Sequence, residues 1–471
     1  MNFFNIRRAL LLACTSAALL LPACTGDDGT VAPTVVATAL RQPNIIFILQ
    51  DDQGWGDVGY HGSDVQTPTI DRMARQGVEL NRYYTYAVCS PTRAALMSGH
   101  SSLETGVDAP ISPNETLPLN LTLLPQHLKT AGYQTVMIGK WHLGEAQSAY
   151  MPFRRGFDHF YGFLSGFEDH YTRINAEGRY DWQRNGVNIT ESGHSTDLMA
   201  EETLRMIKAR DKAKPLFMYL AYDSPHTPLQ APEAYLVRNA HITDVTRRTY
   251  AAMVQQQDDQ IARILDTLQS EGMADNTLIV WASDNGPQMN SGASAGGLRG
   301  LKGTSFDGGQ RVPALAYWPG TLKAGTKLET MVSVLDWFPT LIKLAGGPAP
   351  TDALIPGRDV MPLLRGETLA AGKSVVLGNR NNRIPDYYES VYDLPWKLVR
   401  APTFLISGTG AVPQPPYAKT VLLYNVVTDP AETTDVSAAN PTIVTRLLAD
   451  LNAAPRAPRS LSEWPVNFVP N

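Results

Sequence analysis

Four continuous apolar runs stand out along the chain, and each run is followed at once by polar residues. These runs cover residues 44–49, 134–138, 216–221 and 277–282. Unbroken runs rich in β-branched and aromatic residues are typical of strands buried on both faces, as in a parallel sheet. Helical stretches are predicted between them, notably at residues 196–210 and 246–268. This alternation predicts an α/β domain built on a mostly parallel sheet.

The pattern changes at about residue 372. Shorter strand candidates with long connections follow, at residues 375–377, 396–399 and 421–425, and a last helix is predicted at 441–451. We therefore expect a main α/β domain over residues 43–371. A smaller C-terminal α+β subdomain with an antiparallel sheet is predicted over residues 372–471.

The N-terminus has the features of a targeting segment. Arg7 and Arg8 precede an apolar run that is too short to span a bilayer, which predicts a signal peptide over residues 1–23. The run ends in Leu-Pro-Ala-Cys, which resembles a bacterial lipobox and predicts a lipid anchor on Cys24. Simple secretion with cleavage at a nearby small residue is the alternative. Residues 24–42 are then predicted to be a flexible tether.

Composition narrows the function classes further. The 471 residues include 43% hydrophobic and 18% charged residues, as in an ordinary globular protein. The formal net charge of -5, with no basic block, argues against nucleic-acid binding. Cys14 leaves with the signal peptide and Cys24 would carry lipid, so Cys89 stands alone and no disulfide framework is possible. An exported protein of the bacterial envelope or periplasm fits this cysteine usage.

Oxygen-bearing side chains follow two of the buried runs. Asp51 and Asp52 come directly after the first run, and Asp284 and Asn285 follow the last one. Open α/β sheets bind ligands at the carboxyl edge of their strands. Such hard oxygen donors suit Ca²⁺ or Mg²⁺ and not zinc. Adjacent carboxylates are costly without a cation, so a metal site is favoured over two loop carboxylates.

Cys89 begins the sequence Cys-Ser-Pro-Thr-Arg, a C-x-P-x-R pattern that runs into Ala-Ala-Leu-Met-Ser-Gly. This stretch resembles the signature of the type I sulfatases. In that family a formylglycine-generating enzyme oxidises the cysteine to Cα-formylglycine (3-oxoalanine), whose gem-diol hydrate is the nucleophile. Pro91 suits an early position in a helix, which would place Cys89 at a helix N-terminus that favours anions. The alternative is that Cys89 is a small buried hydrophobic residue.

Three further motifs resemble those of the same family. They are Gly-Lys-Trp-His-Leu-Gly with Lys140 and His142, Ser-Pro-His-Thr-Pro with His226, and Leu-Arg-Gly-Leu-Lys-Gly-Thr with Lys302. The resemblance implies that Arg93 stabilises the hydrated aldehyde, Lys140 contacts a sulfate oxygen and His142 helps to release the sulfate. It implies that His226 and Lys302 contact the sulfate and protonate the leaving oxygen. Asp307 stands where the family more often has Glu.

The resemblance extends over most of the mature chain and implies an alkaline-phosphatase-like fold. It also implies one Ca²⁺ held by Asp51, Asp52, Asp284 and Asn285, together with a formylglycine oxygen from Cys89. Residues 155–162, 168–171 and 424–432 look most like the arylsulfatase B branch, which acts on 4-sulfated N-acetylgalactosamine. The aromatic residues between Phe153 and Tyr171 either stack on a sugar ring or belong to the core.

The sequence thus predicts a Ca²⁺-dependent sulfatase that hydrolyses sulfate monoesters of sulfated glycans or aryl alcohols. The first alternative is a phosphomonoester, phosphodiester or phosphonate hydrolase of the same superfamily. Sulfate needs fewer metal ions than phosphate, and one metal set is visible, which favours sulfate. A non-catalytic carbohydrate-binding protein is the second alternative, and it would apply if Cys89 is never oxidised.

Overall fold

The computed structural model describes residues 42–370, 372, 374–380, 387–402 and 418–457. The predicted signal peptide, the lipid anchor at Cys24 and nearly all of the tether lie outside these residues. The described strands are β1 (Asn44–Gln50), β2 (Val78–Leu80), β3 (Tyr83–Tyr84), β4 (Gln134–Lys140), β5 (His159–Phe163), β6 (Gln183–Arg184), β7 (Val187–Asn188), β8 (Leu216–Ala221), β9 (Thr277–Ser283), β10 (Ala314–Tyr317), β11 (Thr326–Leu328), β12 (Val332–Ser333), β13 (Val375–Arg380), β14 (Tyr387–Asp393), β15 (Trp396–Pro402) and β16 (Lys419–Asn425).

The described α-helices are α1 (Pro68–Gln76), α2 (Cys89–Ser98), α3 (Ser102–Thr105), α4 (Leu124–Thr130), α5 (Ser195–Ala209), α6 (Glu233–Arg238), α7 (Val245–Ser270), α8 (Asp307–Gln310), α9 (Trp337–Leu344), α10 (Met361–Leu364) and α11 (Pro441–Ala453). Short 3₁₀ turns occur at Gly59–His61, Ser148–Tyr150, Pro152–Arg154, Ala274–Asn276 and Val334–Asp336. Among the described residues, no helix combines the length and apolar character needed to cross a membrane.

Ten of the described strands form one large sheet, in the order β11-β2-β10-β9-β1-β8-β4-β5-β6-β7. Its five central strands, from β9 to β5, all run parallel. The four apolar runs of the sequence are the central strands β1, β4, β8 and β9, so the predicted parallel sheet is confirmed. The separate pair of β12 and β3 is also parallel.

Helices cover both faces of the large sheet. Alternate residues of β1 belong to two different cores: Ile45 and Phe47 pack with α2, α4 and α9, whereas Ile46 and Ile48 pack with α1, α5 and α7. A strand with a core on each face must be apolar at every position, which explains the unbroken pattern. The two long predicted helices are confirmed as α5 and α7.

The C-terminal sheet is antiparallel and has the order β13-β14-β15-β16. Leu447 and Leu451 of α11 pack on Val391, Leu398 and Leu423 of this sheet. The predicted antiparallel sheet and the last helix are therefore confirmed. The proposed boundary near residue 372 stays a prediction.

A fully buried ion network joins this sheet to the rest of the chain. The Lys397 Nζ atom lies 2.8 Å from a carboxylate oxygen of Asp307 and 2.8 Å from one of Glu432. The Asp307 backbone N–H donates to Glu432 Oε2 at 2.6 Å. Asp307 begins the short helix α8, five residues after Lys302, so the C-terminal sheet fixes the segment that carries this lysine.

Candidate active site

The register of the central strands brings the predicted oxygen donors together. Gln50 of β1 pairs with Ser283 of β9, so the residues that follow these two strands lie side by side. The Asp284 N–H donates to the Gln50 carbonyl at 3.0 Å, and the Asp52 N–H donates to Asp284 Oδ1 at 3.2 Å. Asn285 Nδ2 donates to Asp52 Oδ1 at 2.7 Å. Asp51, Asp52, Asp284 and Asn285 are all buried in one cluster.

This cluster has the chemistry of a site for a hard cation. Asp51 Oδ1 and Asn285 Oδ1 are buried, and neither has a hydrogen-bond partner in the described part of the chain. Buried polar oxygens nearly always have a partner, so two orphans in one cluster indicate a ligand. Asp51, Asp52 and His226 each offer a ligand atom within 4.8 Å of one another. The predicted residues Asp51, Asp52, Asp284 and Asn285 therefore fit an oxygen-ligated divalent cation.

Burial and mutual repulsion act strongly on these carboxylates. Burial, followed by the charge of Asp51, raises the pKa of Asp284 to about 7. Burial would also raise the pKa of Asp51, but the charges of Lys140, His226 and Arg93 outweigh it and lower that pKa. One of three crowded carboxylates thus resists ionisation unless further positive charge is supplied, as expected for a cation site.

Cys89 is the first residue of helix α2, and all ten residues of this helix are buried. Pro91 lies in its first turn, which confirms the predicted helix. The Cys89 Sγ atom lies 3.3 Å from Nδ1 of His142. Burial raises the pKa of the Cys89 thiol, although the charges of Lys140 and Lys302 oppose this shift. An unmodified Cys89 is therefore a thiol at neutral pH and a poor nucleophile.

Two cations connect the helix of Cys89 to the carboxylates. The Arg93 guanidinium donates to Asp284 Oδ2 at 2.8 Å and to the Lys140 carbonyl at 3.1 Å. Lys140 ends β4, and its Nζ atom lies 2.5 Å from Asp51 Oδ2. Both side chains are completely buried. Burial, together with the charge of Lys140, lowers the pKa of His142 well below its usual value, so its ring is neutral.

Lys302 and His226 approach the cluster from the side of Asp52. Lys302 Nζ lies 2.7 Å from Asp52 Oδ1, and His226 Nε2 lies 3.6 Å from Asp52 Oδ2. Burial would lower the pKa of Lys302, but Asp52 outweighs it and raises that pKa, so the ammonium stays charged. Burial, followed by the charge of Lys302, lowers the pKa of His226. The predicted site residues thus lie together in one cluster, in which all are buried except the partly exposed Lys302.

Two of these residues have an unusual backbone. Asp52 has φ of 68° and His142 has φ of 53°, both in the left-handed region. Outside glycine this conformation costs about 1–3 kcal/mol and persists where the surroundings enforce it. Asp52 follows the end of β1 by two residues and His142 follows the end of β4 by two residues, so both strained positions lie at the carboxyl edge of the sheet.

A shallow cleft that opens to solvent lies beside His142. Its lining includes Leu164, Ser165, Gly166 and the carboxylates of Glu145 and Glu177. Arg179 Nη2 lies 2.5 Å from Glu145 Oε1 and 3.7 Å from Glu177 Oε2. The ring of Phe167 is 37% exposed and stacks on His226, with 5.5 Å between the ring centroids. Phe167 lies between Phe153 and Tyr171, in the stretch whose aromatic residues were predicted either to stack on a sugar ring or to belong to the core.

A buried group that the sequence pattern does not predict lies behind His226. Asp223, Ser195 and His170 contact one another and the backbone of His226. Asp223 follows strand β8 by two residues, so a carboxylate at a strand end was the available signal. His170 belongs to a stretch noted only for its resemblance to one branch, and Ser195 carried no signal.

Comparisons with known proteins agree with this geometry. The family model for sulfatases matches residues 43–347. Arylsulfatase J of Mus musculus is 34% identical over 465 residues, 89% of this chain and 77% of the relative. N-acetylgalactosamine-6-sulfatase of Homo sapiens is 32% identical over 442 residues, 85% of this chain and 83% of the relative. The solved structure of Ps i-CgsB in complex with k-i-k-neocarrahexaose has a TM-score of 0.79 and 30% identity, covering 88% of this chain and 92% of that chain.

The parallel sheet and the buried site at its carboxyl edge define a hydrolase with the alkaline-phosphatase-like fold. The chain belongs to the sulfatase family, and it is an enzyme that hydrolyses sulfate esters. The similarity to arylsulfatase J supports, in outline, the predicted arylsulfatase B-like branch.

Proposed function

We propose that the enzyme hydrolyses sulfate monoesters of sugars with a formylglycine at Cys89 and one Ca²⁺ at the neighbouring carboxylates. The observation that carries this proposal is the position of Cys89 at a buried helix N-terminus, 3.3 Å from His142 and beside a cluster of oxygen donors with two orphan oxygens. When present, formylglycine supplies a hydrated aldehyde that can attack sulfur and later release sulfate. A formylglycine-generating enzyme would make it during maturation.

The metal would be held by Asp51, Asp52, Asp284 and Asn285, together with an oxygen of the modified Cys89. A bound Ca²⁺ supplies positive charge that favours a deprotonated hydroxyl and a bound sulfate. The orphan oxygens of Asp51 and Asn285 support this ligand set. Arg93 holds Asp284 in place, since its guanidinium donates to that carboxylate from Nε and Nη2.

The remaining cations divide between the two ends of the sulfate ester. Lys140 and His142 lie beside Cys89, where Lys140 binds a sulfate oxygen and the neutral His142 ring accepts a proton when sulfate is released. Lys302 and His226 lie on the side of Asp52, where they contact the sulfate and protonate or polarise the departing ester oxygen. A departing sugar alkoxide needs such an acid because it is a strong base.

A sugar is the favoured alcohol. The cleft beside His142 opens to solvent, and its lining includes Glu145 and Glu177, whose carboxylates can accept from sugar hydroxyls. Phe167 presents a partly exposed aromatic ring next to His226 on which a sugar could stack. The similarity to an N-acetylgalactosamine-6-sulfatase and to a protein solved with a neocarrahexaose supports the same class of substrate.

Mass spectrometry and a substrate screen together test the proposal. The peptide that contains Cys89 should carry the aldehyde when the protein is made with a formylglycine-generating enzyme. The matched preparation without that enzyme should keep the thiol. Only the modified protein should release sulfate from 4- or 6-sulfated N-acetylgalactosamine and from aryl sulfates. Modified protein that binds sulfated sugars without turnover would indicate a carbohydrate-binding homologue, and a preference for phosphate or phosphonate esters would favour the first alternative.

We also propose that the enzyme is exported to the cell envelope and anchored by lipid at Cys24. The signal peptide and Cys24 lie outside the described part of the chain. The charged N-terminus, the short apolar run and the lipobox-like sequence support this location. In cell fractionation the native chain should sediment with membranes, whereas Cys24→Ser should not. A native chain that is found only in the soluble periplasmic fraction would favour simple secretion.

A further inference from the structure

The backbone around His226 is held by hydrogen bonds on both sides of the residue. The His226 N–H donates to the Asp223 carbonyl at 3.0 Å, and the His226 carbonyl lies 3.3 Å from Nε2 of His170. The His226 ring is fixed as well, since its Nδ1 lies 2.6 Å from the Thr227 carbonyl. A carbonyl only accepts, so Nδ1 carries one proton, and Nε2, the nitrogen that faces the site, must take up a second proton before the ring can act as an acid.

His170 is itself held by two buried side chains. Its Nδ1 lies 2.7 Å from Ser195 Oγ and 3.1 Å from Asp223 Oδ2, and Ser195 Oγ donates to the same carboxylate oxygen at 2.9 Å. All three side chains are buried. A Ser, a His and an Asp in contact resemble a group for nucleophilic catalysis. The Ser195 hydroxyl, however, is completely buried and donates its hydrogen to Asp223, so it is not available to a substrate. The group therefore acts through His226.

The partners of His170 accept on both sides of its ring. The His226 carbonyl can only accept from Nε2, and the Asp223 carboxylate can only accept from Nδ1. A ring that donates from both nitrogens is a charged imidazolium, fixed in direction at each end. Burial would lower the pKa of His170, but the charge of Asp223 outweighs burial and raises it, in agreement with this state.

Asp169 and His170 also contact Gln230, at the end of the loop formed by residues 223–230 after β8. Gln230 donates from Nε2 to Asp169 Oδ2 at 2.7 Å, and its Oε1 accepts the His170 N–H at 2.8 Å. The Phe167 ring packs against the His226 ring with 22° between their planes. Residues 167–170 therefore contact the loop at its start, its middle and its end.

We propose that His170, held by Asp223 and Ser195, is a positioning residue that sets the place of His226 at the leaving-group side of the site. This inference rests on the role proposed above for His226. The hydrogen bond from His170 reaches the main-chain carbonyl of His226 and not its ring, so it fixes the position of the backbone from which the ring extends. The Phe167 ring and the Thr227 carbonyl then fix the direction of the His226 ring.

The test compares two variants on two substrates with leaving groups of different basicity. A positioned general acid contributes about 10²–10⁴-fold on a poor leaving group and much less on a good one. His226→Ala should therefore lose far more kcat/KM on a sugar sulfate than on nitrophenyl sulfate. His170→Ala should show the same preference, with at least about a tenfold greater loss on the sugar sulfate. The loss should fall on kcat, with KM nearly unchanged.

His194→Asn is the matched control. His194 is as buried as His170 and stacks on it with 4.9 Å between ring centroids, but it bonds to the Gln230 carbonyl and not to His226. This variant should lower both activities by the same factor. His170→Gln keeps a side-chain donor and should recover part of the sugar-sulfate activity that His170→Ala loses.

Each outcome separates the positioning role from the proposed function. If His226→Ala discriminates between the substrates but His170→Ala loses both equally, the positioning role is overturned and the acid role stands. If His226→Ala loses both equally, the acid role itself fails, and the positioning inference fails with it. If His170→Ala does not fold, Ser195→Ala takes its place, since it removes one support of the ring, and an equal loss there overturns the inference.

Discussion

The guanidinium of Arg93 donates twice to one carboxylate oxygen of Asp284, from Nε at 3.2 Å and from Nη2 at 2.8 Å. The other oxygen of Asp284 accepts the Asp52 N–H at 3.2 Å. Asp284 thus joins the helix that begins at Cys89 to the carboxylates that follow β1. A change at Asp284 acts on the proposed metal and on the nucleophile together.

We expect Asp284→Asn to lose calcium binding and sulfatase activity together. The amide keeps the size of the side chain but removes the charge that a cation and Arg93 require. Calcium at about 100 times its dissociation constant should stabilise the native enzyme by about 2.7 kcal/mol, because it binds the folded state only. Denaturant unfolding with calcium or with a chelator measures this gain, which should vanish in Asp284→Asn.

Asp258→Asn is the control for this experiment. Asp258 is also a buried carboxylate, but it accepts the Thr69 and Ile70 N–H groups at the start of α1, away from the site. Its variant should keep the calcium-dependent gain. Full activity after exhaustive chelation, or an unchanged gain in Asp284→Asn, would remove these residues from the metal site.

Cys89→Ala should abolish turnover while the protein stays folded. Cys89 is buried at the start of α2, and the smaller side chain leaves the helix intact. Cys89→Ser should be equally inactive in a host that oxidises only cysteine at this motif. Released sulfate from purified protein is the measurement. Activity within about tenfold of the native enzyme, about 1.4 kcal/mol of barrier, is incompatible with a nucleophile at Cys89.

Four of the five central strands, β1, β4, β8 and β9, were predictable because each has a core on both faces. That environment favours apolar residues on both faces, and β1 shows this pattern from Ile45 to Leu49. The site followed from the same pattern, since parallel strands end at one edge and the polar residues that come next must meet there. Asp51 and Asp284 are close in space for this reason, although 233 positions separate them in sequence.

The support behind the site was not predictable in the same way. Ser195 and His170 carry no pattern, because one side chain at the start of a helix and one in an irregular segment have no period to reveal them. Their role depends on where residues 167–170 fold back against the loop after β8. The pairing of Lys397 with Asp307 and Glu432 could not be predicted either, because an isolated lysine in a strand normally reaches solvent.

Lys302→Ala should harm sugar sulfates more than nitrophenyl sulfate. Its ammonium lies on the side of Asp52, together with His226, where the leaving oxygen is expected. Nitrophenolate departs without a proton, so it has little need of the lysine. The ratio of kcat/KM on the two substrates measures the effect. An equal loss on both would mean that Lys302 only binds sulfate.

Lys397→Met should destabilise the protein by about 3–5 kcal/mol, because it leaves two buried carboxylates without their cation. Lys397 lies 2.8 Å from both Asp307 and Glu432, and all three side chains are completely buried. Chemical denaturation measures the change. Lys327→Met is the control: its half-exposed lysine pairs with Glu79 at 2.9 Å, and its loss should stay below about 1 kcal/mol. Similar losses in the two variants would contradict the proposed contribution of the buried network.

His194 should make the protein sensitive to mild acid. Its Nε2 lies 3.0 Å from the Gln230 carbonyl, and its Nδ1 accepts the Thr196 N–H at 3.3 Å, so the folded protein holds a neutral ring. Burial, followed by the charge of His170, lowers its pKa from 6.5 to about 4. The unfolded chain therefore binds this proton below pH 6.5, and the folded chain does so only near pH 4. The stability that His194 contributes is complete above pH 6.5 and is lost as the pH falls towards 4, by about 3 kcal/mol in total.

Urea unfolding of the native protein and of His194→Asn at pH 7, 5.5 and 4.5 measures this loss as a shrinking difference between the two free energies of unfolding. Curves that stay parallel over this range would show that His194 titrates alike in both states.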